Sequence, residues 1–536
     1  MRELHTPAEA SQWLRSRVSG MLHTDSRKVR AGDGFIAWPG AATDGRQYVK
    51  AALAQGARAC IVEREGVESY QFDDELVAAY VELKAASGPI AAAYFEEPSR
   101  QLDVLAVTGT NGKTSTAWWL AQALSGLKQA PVPCGLVGTL GIGRPPVAGA
   151  ADGPPGGVVP SGLTTPDPVL LQQNLRRFVD EGLRACAIEA SSIGIEEHRL
   201  DGTRIRTAIF INLTQDHLDY HGSMDDYWAA KTVLFQWPGL RAAVINVDDV
   251  RGLELAEVLL GTALDLWTFS CSGPARLQAR DMAYDARGLR FTVLEGTEQH
   301  VLGTQLIGQY NASNLLAVIG AMRSLGIPLA AAVQACHELS PVPGRMEIVR
   351  LETVGVSAAG PSQGAKAPSG GSAAHAVASV GATIPLAAVD YAHTPDALDK
   401  ALAALRPLAD QRGGQLWCVF GCGGERDAVK RPLMGAVAAR NADHVVLTSD
   451  NPRSEKPEAI ISQILLGLAG HASVTVQADR ALAIAQTLSQ AAANDVVLIA
   501  GKGHEEFQEI AGRKLPFSDR EQAQRALRVP RAGAPA

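Results

Sequence analysis

The chain has no apolar run of about 18 residues or more, and its opening residues, MRELHTPAEASQWL, lack the basic start and apolar core of a secretory signal. We therefore expect a cytoplasmic protein without a membrane-spanning segment. An excess of basic residues is also lacking, since 49 Lys and Arg stand against 56 Asp and Glu, for a formal net charge of −7. Because bulk binding of nucleic-acid phosphate needs a basic field, this balance argues against a nucleic-acid partner.

Cysteine is sparse as well. The seven cysteines are scattered, odd in number and never form a CxxC pair, which favours free thiols over a disulfide framework or a zinc site.

The proportions of hydrophobic residues (46%) and charged residues (20%) argue against disorder of the whole chain. At about 150 residues per domain, a length of 536 residues predicts three or four domains.

Short β-rich runs alternate with helical stretches along most of the chain. Examples are predicted strands at 185–189, 207–212 and 242–246 and a predicted helix at 168–181. This alternation predicts an α/β fold with mainly parallel sheets. A new strand and loop begin after residue 100, and two prolines and a glycine interrupt a helical pattern near residue 342. These boundaries predict three domains, at 1–100, 101–342 and 343–536.

Two stretches interrupt this alternation, 143–162 and 355–383. Both are rich in Gly, Ala, Ser and Pro, which cannot bury a core, and we interpret both as flexible surface insertions. Neither contains the aromatic residues or the charge cluster that would favour a partner-docking loop.

The strongest local signal is a predicted strand, Val104 to Thr108, followed by GTNGKTS at 109–115 and a helical run. A tight glycine loop between a strand and a helix directs backbone N–H groups and the helix dipole at a phosphate. Lys113 would reach the β- and γ-phosphates, and the hydroxyl of Thr114 or Ser115 would help to hold Mg²⁺. The loop is shorter than the full P-loop pattern, because Val107 stands where its first glycine is expected.

Polar residues also follow two further predicted strands. Glu189 ends ACAIE, and the segment from Asn212 to His217 completes and follows TAIFIN. Open α/β sheets place ligands at these carboxyl ends, and a carboxylate and an imidazole there suit a metal shell. A lone histidine is more often packed or solvated, so it is the neighbouring P-loop that favours a metal role for His217.

Three loops in the last third of the chain, GCGGERD (421–427), DNPR (450–453) and GKGHE (501–505), each follow a hydrophobic run. Any one of them alone is typical of a surface turn. Their shared position after a strand predicts a pocket for a zwitterionic ligand, in which arginine forks hold carboxylates.

These motifs resemble those of one enzyme family. Together with TTPD at 164–167, YNASN at 310–314, GRME at 344–347 and DYAHTPDAL at 390–398, they occur in the order seen in Mur ligases. The chain is similar to this family over nearly its whole length apart from the two insertions, and most similar to its diaminopimelate-adding (MurE) type. The P-loop alone is shared with folylpolyglutamate synthetase, whereas the set that includes DNPR is highly specific.

The resemblance implies an N-terminal UDP-sugar-binding domain, a central P-loop ATPase domain and a C-terminal Rossmann-like domain. The implied enzyme is an ATP-dependent ligase of peptidoglycan biosynthesis. It would add meso-2,6-diaminopimelate to the D-glutamate γ-carboxylate of UDP-N-acetylmuramoyl-L-alanyl-D-glutamate through an acyl phosphate, releasing ADP and phosphate. Mg²⁺ is the implied cofactor, and carbon dioxide is implied for the carbamylation of a lysine. The implied partners are these small molecules, and we expect a monomer.

Residue roles carry over by motif position. The implied catalytic residues are Lys113, Glu189, His217 and Lys231. The implied metal ligands are Thr114, Glu189, His217 and Lys231 as N6-carboxylysine. The implied ATP-binding residues are Gly109, Thr110, Asn111, Gly112, Lys113, Thr114, Ser115, Asn311, Arg345 and Asp390.

The implied residues for the UDP-sugar dipeptide are Thr24, Ser26, Ala41, Ala42, Thr43, Thr164, Thr165, Ser191, Glu197 and Arg199. Those implied for diaminopimelate are Arg426, Asp450, Asn451, Pro452, Arg453, Gly501 and Glu505.

The resemblance makes Arg453 the residue that selects the amino acid. Diaminopimelate has a second carboxylate on its distal carbon, where lysine has only an amine, and lysine would leave the arginine unpaired. Two alternatives stay open: a lysine-adding homologue, and a nucleotide-dependent switch without ligation chemistry. The coexistence of Lys231, Glu189 and the DNPR loop counts against a switch, because a switch needs no amine-donor pocket.

Overall fold

The computed structural model describes residues 1–40, 43–147, 157–285, 288–349, 351 and 384–529. They form two compact units. One contains Met1–Asp281, Phe291–Leu302 and Ala312–Ser340, and the other contains Met282–Arg290, Gly303–Asn311 and the described part of Pro341–Ala536. The insertion predicted at 355–383 lies outside the described residues, as do Ala41 and Ala42.

The first sheet has five parallel strands in the order β1-β5-β4-β3-β2. Its strands are β1 (Arg2–Leu4), β2 (Leu22–His23), β3 (Gly34–Ala37), β4 (Ala59–Glu63) and β5 (Val77–Tyr80), with helices α1 (Pro7–Arg15), α2 (Val49–Ala54) and α3 (Leu83–Tyr94). Alternate strand residues point to opposite faces. Ile36 and Ile61 pack in one core cluster with α1 and α3, and Phe35 and Val62 pack in another with α2.

The second sheet has eleven strands, ordered β16-β15-β14-β13-β12-β11-β6-β10-β7-β8-β9. They are β6 (Asp103–Thr108), β7 (Cys134–Gly138), β8 (Gly141–Gly143), β9 (Val158–Val159), β10 (Ala185–Glu189), β11 (Thr207–Phe210), β12 (Ala242–Asn246), β13 (Asp265–Ser270), β14 (Leu277–Asp285), β15 (Gly288–Glu295) and β16 (Glu298–Gly303). The helices of this region are α4 (Lys113–Ser125), α5 (Pro168–Asp180), α6 (Ser192–Glu196), α7 (Leu218–His221), α8 (Met224–Thr232), α9 (Val250–Leu259), α10 (Tyr310–Ser324) and α11 (Leu329–Cys336).

Strands β7, β10, β6, β11, β12, β13 and β14 pair in parallel, which confirms the predicted parallel sheet. Strand β6 lies between β10 and β11, so the chain changes direction across the sheet at β6. At such a switch point the carboxyl ends of neighbouring strands enclose a crevice. The loops after β6, β10 and β11 therefore converge.

The stretch 143–162 is only partly an insertion. Gly143 ends β8, and Val158–Val159 form β9, which pairs with β8 in the antiparallel direction. Backbone pairing needs no apolar side chains, and this is why composition alone hid the hairpin. Residues 148–156 lie outside the described residues.

The third sheet has the order β17-β18-β22-β19-β20-β21 and is parallel except for β17. Its strands are β17 (Glu347–Ile348), β18 (Leu386–Asp390), β19 (Leu416–Phe420), β20 (His444–Leu447), β21 (Val474–Val476) and β22 (Val496–Ala500), followed by a separate hairpin of β23 (Phe507–Ile510) and β24 (Arg513–Pro516). The helices are α12 (Pro395–Arg412), α13 (Lys430–Asn441), α14 (Pro457–Leu465), α15 (Arg480–Gln490) and α16 (Asp519–Arg528). Both faces of the sheet are covered by buried apolar clusters.

All seven cysteines are free thiols, as predicted. Burial raises the pKa of Cys134 to about 12, so this thiol stays protonated at neutral pH. Among the described residues, none of the helices is long and apolar enough to cross a membrane.

Helix α3 approaches the loop after α6 so closely that only glycine fits. A Cβ on Gly88 would lie 2.1 Å from the carbonyl oxygen of Asp201, and a Cβ on Gly202 would lie 2.6 Å from the carbonyl carbon of Gly88. Lys84 Nζ also lies 2.7 Å from Glu197 Oε2 in the same region. These contacts join the first sheet to the second within one unit.

Gly88→Ala is expected to lower the free energy of unfolding of this unit by about 1–3 kcal/mol, because the added methyl must displace backbone atoms. Urea unfolding followed by tryptophan fluorescence measures the loss. Gly261→Ala is the control, since a Cβ there meets nothing within 4 Å. A Gly88→Ala chain as stable as the Gly261→Ala chain would contradict the close approach.

Candidate active site

The loop after β6 has the form of a phosphate-binding loop, as predicted. Gly109 has φ +147°, and a Cβ on it would lie 2.8 Å from Ile211 Cγ1. Gly112 has φ +89° and precedes α4, and a Cβ there would lie 2.5 Å from Asn314 Oδ1. Both glycines are needed for the backbone conformation and for space.

The neighbouring strand end holds this loop in place. The backbone N–H of Asn111 donates to Asn212 Oδ1 at 2.8 Å, and Asn212 Nδ2 donates back to Asn111 O at 2.9 Å. Lys113 is the first residue of α4, and its Nζ donates to the carbonyl oxygens of Gly109 and Thr110, both at 2.9 Å. A cation therefore lies over the loop at the positive end of a helix, where anionic oxygens are stabilised.

Glu189, at the end of β10, is a buried carboxylate with several hydrogen-bond donors. It is 1% exposed and accepts hydrogen bonds from Thr114 Oγ1 at 2.9 Å, from the N–H of Thr139 at 2.7 Å and from Thr139 Oγ1 at 3.1 Å. Gly138 leaves room for it, because a Cβ there would lie 2.2 Å from Glu189 Oε1. A buried anion needs such donors, and here they tie α4 to the β7–β8 turn.

Lys231, on α8, is 1% exposed, and its Nζ donates to Gly109 O at 3.0 Å. Burial and the charge of Lys113 lower its pKa well below the usual value, and the charge of Asp216 opposes this shift in part. A lowered pKa favours the neutral amine, which is the form that reacts with carbon dioxide to give a carbamate.

The sequence analysis did not single out Tyr227. Its ring centre lies 4.2 Å from Lys231 Nζ, and its hydroxyl lies 3.2 Å from Thr110 Oγ1. The helical spacing of four residues between Tyr227 and Lys231 was the available signal, since it stacks the two side chains. His217 packs against the same ring, with centroids 6.1 Å apart, and its Nε2 lies 3.5 Å from Asp216 Oδ2.

The structure therefore joins Thr114 to Glu189 directly, and it joins Lys231 and His217 through Tyr227. In the described part of the chain, no group of three or more His, Cys, Asp and Glu residues could hold a metal ion by itself. The predicted metal shell depends instead on a hydroxyl and a modified lysine beside one carboxylate and one imidazole.

Hydroxyl groups follow the end of β10. Thr165 Oγ1 donates to Glu189 O at 2.8 Å and lies 3.0 Å from Ser191 Oγ. Thr164 Oγ1 lies 3.0 Å from Thr139 Oγ1, and Arg199 Nη1 donates to Thr165 O at 3.1 Å. The structure thus brings together four of the residues predicted for the UDP-sugar dipeptide: Thr164, Thr165, Ser191 and Arg199.

Glu197 is committed to other partners. Its Oε2 pairs with Lys84, and its Oε1 accepts the hydroxyl of Tyr220 at 2.9 Å. Burial opposes the ionisation of Glu197, but the hydrogen bonds from Lys84 and Tyr220 outweigh it and lower the pKa.

Three further predicted sugar residues, Thr24, Ser26 and Thr43, lie in loops of the first sheet. Ser26 begins a short 3₁₀ helix, Thr24 precedes it, and Thr43 Oγ1 lies 3.3 Å from the Tyr48 hydroxyl. Within the described ranges, no hydrogen bond links Thr24, Ser26 or Thr43 to Thr164, Thr165, Ser191 or Arg199.

The second unit holds the other predicted nucleotide residues. The guanidinium of Arg345 lies 4.2 Å from the ring centre of Tyr391, and its Nη1 lies 3.5 Å from His504 Nδ1. Burial, then the charges of Arg345 and Lys502, lower the pKa of His504 to about 3, so its imidazole is neutral.

Asp390 ends β18 and accepts the N–H groups of Met346 at 2.6 Å and Ala392 at 2.8 Å. Burial raises its pKa, and the charge of Arg345 and these hydrogen bonds counteract the shift. Asn311 Nδ2 donates to Ile307 O at 2.7 Å.

The DNPR and GKGHE loops meet, as their shared position after a strand predicts. Asn451 Nδ2 donates to Glu505 Oε2 at 2.8 Å. Lys502 is fully buried, and its Nζ binds Asn451 Oδ1 at 2.9 Å and Glu505 Oε2 at 2.7 Å. Gly501 has φ +116°, and a Cβ there would lie 2.4 Å from Asp450 Oδ2.

Behind these loops lie two buried arginines that the sequence analysis missed. Arg480 and Asp519 form an ion pair with both side chains 0% exposed, and Arg480 Nη2 also donates to Ala500 O at 2.9 Å. Arg431 binds both oxygens of Glu455 at 2.9 Å and donates to Gly423 O at 3.1 Å. Each partner is distant in sequence, so no local pattern marks the pair.

The loop of GCGGERD and the end of DNPR also meet. Arg453 Nη1 donates to Gly424 O at 2.5 Å. A Cβ on Gly423 would lie 3.1 Å from Arg453 Nη1 and 3.7 Å from Arg426 Cγ. Both predicted carboxylate-binding arginines thus lie beside Gly423, with Arg426 exposed and Arg453 half-buried.

Thr114→Val is expected to lower the free energy of unfolding by about 1–3 kcal/mol, because Glu189 loses one of its donors while remaining buried. Urea unfolding, read from the buried Trp118 and Trp119 of the same helix, checks this. Thr116→Val is the matched control, since the Thr116 hydroxyl is buried without a partner among the described residues. Equal losses from the two variants would contradict the role given to Thr114.

Comparisons with known proteins agree with this geometry. The sequence matches the Mur ligase family, catalytic domain, at residues 20–94, the Mur ligase middle domain at 107–322, and the Mur ligase, glutamate ligase domain, at 377–503. A protein of Acidovorax sp. (strain JS42), named UDP-N-acetylmuramoyl-L-alanyl-D-glutamate–2,6-diaminopimelate ligase, is 58% identical over 98% of this chain and 99% of its own length. A protein of the same name from Pseudomonas aeruginosa is 44% identical over 94% of each chain.

Solved structures extend the likeness. A structure of a UDP-N-acetylmuramoyl-L-alanyl-D-glutamate–2,6-diaminopimelate ligase is 33% identical, covers 95% of this chain and 94% of its own, and has a TM-score of 0.59. MurF ligase from Thermotoga maritima in complex with ADP shares the fold at 18% identity, with coverage of 96% and 97% and a TM-score of 0.62. With its loops at strand ends and its similarity to these relatives over nearly all of its length, this chain belongs to the Mur ligase family.

Proposed function

We propose that the chain is an ATP-dependent ligase of peptidoglycan biosynthesis that adds meso-2,6-diaminopimelate to UDP-N-acetylmuramoyl-L-alanyl-D-glutamate. The observation that best supports this proposal is that Arg453 lies on a loop with Asp450 and Asn451. The chain that contains this loop is 58% identical to a ligase named for the reaction. The lysine-adding alternative and the nucleotide switch have no comparable support. All the substrates are small molecules, and we propose a monomer that works in the cytoplasm.

The reaction has two steps. The D-glutamate γ-carboxylate attacks the γ-phosphorus of ATP, which forms an acyl phosphate and releases ADP. An amine of diaminopimelate then attacks the acyl carbon, so that the amide forms and phosphate leaves. The protein's part is to hold the groups in line and to neutralise phosphate charge.

The ATP-binding role is proposed for the loop Gly109 to Ser115. Its backbone N–H groups and the Lys113 ammonium suit the β- and γ-phosphates. We assign Asn311 and Arg345 to the adenine and phosphate side and Asp390 to the ribose. The proposed domain bounds are 1–100 for the UDP-sugar, 101–342 for ATP and 343–536 for the amino acid.

Mg²⁺ would be held by Thr114, Glu189, His217 and Lys231 in its N6-carboxylysine form. Two observations support the fit: the low pKa of Lys231 favours its carbamylation, and the carboxylate of Glu189 already binds the Thr114 hydroxyl. Carbamylation replaces a cation by an anion beside the phosphate loop, and hard cations take oxygen ligands. Bound there, Mg²⁺ would neutralise charge on the phosphates.

The UDP-sugar dipeptide is assigned to Thr24, Ser26, Ala41, Ala42, Thr43, Thr164, Thr165, Ser191, Glu197 and Arg199. The cluster of hydroxyl groups after β10 supports the dipeptide end of this assignment. Diaminopimelate is assigned to Arg426, Asp450, Asn451, Pro452, Arg453, Gly501 and Glu505. Arg426 and Arg453 would bind its carboxylates, and the acids would bind its amines.

The amino-acid preference tests the function directly. Purified protein with UDP-N-acetylmuramoyl-L-alanyl-D-glutamate and ATP is expected to release phosphate when meso-diaminopimelate is added, with a kcat/KM at least about 100-fold above that for L-lysine. Coupled phosphate release and mass spectrometry of the product measure both rates. Faster turnover with lysine would favour the lysine-adding alternative, and nucleotide binding without amino-acid-stimulated release would favour a switch.

Lys231→Ala is expected to reduce phosphate release at least about 100-fold, because the site loses a charged group needed in the transition state. Removal of carbon dioxide from the buffer should slow the parent protein, and bicarbonate should restore it. Lys128→Ala, at an exposed ion pair with Glu338, is the control and should retain activity. A Lys231→Ala protein with parental rates would refute the role.

A further inference from the structure

Strand β23 holds the loop that contains Arg453 through hydrogen bonds. Gln508 Nε2 donates to Asp450 O at 2.7 Å, and the backbone N–H of Glu509 donates to Asn451 Oδ1 at 2.9 Å. The N–H of Arg453 in turn donates to Glu509 O at 3.0 Å. Residues 450–453 are therefore hydrogen-bonded to strand β23 of the hairpin.

Arg453 itself adopts an uncommon backbone conformation, with φ +53°. A non-glycine residue in this left-handed region is strained, and such residues persist where their surroundings hold them in place. A second backbone bond, from the N–H of Ala511 to Arg453 O at 2.7 Å, completes the attachment to the hairpin. The hairpin thus compensates for the strain and sets the direction in which the side chain leaves the backbone.

Two of the three guanidinium nitrogens of Arg453 contact other groups of the protein. Nη1 donates to Gly424 O at 2.5 Å, and Nε lies 3.4 Å from Glu509 Oε2. Nη2 has no hydrogen-bond partner within the described ranges. The arginine and glutamate side chains are 21% and 26% exposed, so solvent reaches the pair only partly.

We propose that Glu509 is a positioning residue that determines specificity for diaminopimelate by orienting Arg453. The glutamate holds the Nε edge, so that Nη2 is presented to the distal carboxylate of the amino acid. A free arginine side chain loses rotamer entropy when it binds a ligand, and holding it in place before binding removes part of that cost. The inference rests on the function proposed above and deepens it.

Glu509 could also have the opposite effect on binding, by competing with the ligand for Arg453, and this alternative is testable. An acid next to an arginine competes with a ligand carboxylate for the same cation, and its removal would then tighten the binding of diaminopimelate. Orientation predicts weaker binding after removal. The sign of the change in KM therefore separates the two effects.

The experiment measures kcat and KM of the full chain for each of its three substrates in Glu509→Ala, Glu509→Gln and Arg453→Ala. Glu509→Ala is expected to raise the KM for meso-diaminopimelate about tenfold, with Glu509→Gln intermediate, since a single charge-assisted contact is lost. The KM values for ATP and the UDP-sugar dipeptide should change less than about twofold. Preference for diaminopimelate over L-lysine should fall by the same factor as its KM rises.

A double variant, Glu509→Ala with Arg453→Ala, should be no worse than Arg453→Ala alone, because the glutamate acts through the arginine. Glu521→Ala is the matched control, since it removes an exposed Glu–Arg pair on α16, with Arg525 at 3.1 Å. It should leave all three KM values unchanged.

An unchanged or lowered KM for diaminopimelate in Glu509→Ala would overturn the inference, as would a parallel loss for all three substrates. If Glu509→Ala does not fold, Glu509→Gln keeps the side-chain shape and decides the question. A parent protein inactive with diaminopimelate would refute the proposed function, whereas an active parent with unaffected Glu509 variants would refute only the role of Glu509.

Discussion

The first unit's candidate site depends on one buried carboxylate. Glu189 stands at the end of β10, next to β6 on one side and β7 on the other, and it is bonded to α4 through Thr114 and to the β7–β8 turn through Thr139. Burial of a carboxylate is unfavourable unless donors surround it. Those donors lie on two segments outside β10, so the need to satisfy one anion holds the start of α4 and the β7–β8 turn against the end of β10.

The acidic chain concentrates positive charge locally, at the loop after β6. The net charge is −7, yet Lys113 and Lys231 both direct their Nζ atoms to carbonyl oxygens of the phosphate-binding loop. Burial of Lys231, and then the charge of Lys113, lower the pKa of Lys231. A lowered pKa favours the neutral amine, which is the form that the proposed carbamylation requires.

In the second unit, ion pairs with buried cations support the candidate binding loops. Arg480 with Asp519, Arg431 with Glu455, and Lys502 with Glu505 each bind a backbone carbonyl or a side chain of a candidate binding loop. Such pairs add little net stability against an apolar replacement, but breaking one is costly. Their effect is to hold three strand-end loops in one arrangement.

The sequence by itself determined the strands and loops that hold the candidate functional residues. Strand β6, the glycines of 109–112 and helix α4 follow from local propensity and turn geometry, and Glu189 and the DNPR loop follow from their places at strand ends. Strand β11 ends at Phe210, two residues before its predicted end at Asn212, because strand ends depend on which neighbours continue to pair.

Only the tertiary structure decided which side chains these loops meet. Tyr227 beneath Lys231, Thr139 on Glu189, Lys84 on Glu197 and Glu509 on Arg453 are contacts made mostly across long sequence separations. Their partners are chosen by sheet order and by the burial of charge, which no local pattern encodes. Local sequence thus determines where functional groups leave the backbone, and the packing of distant segments determines their orientation and their pKa.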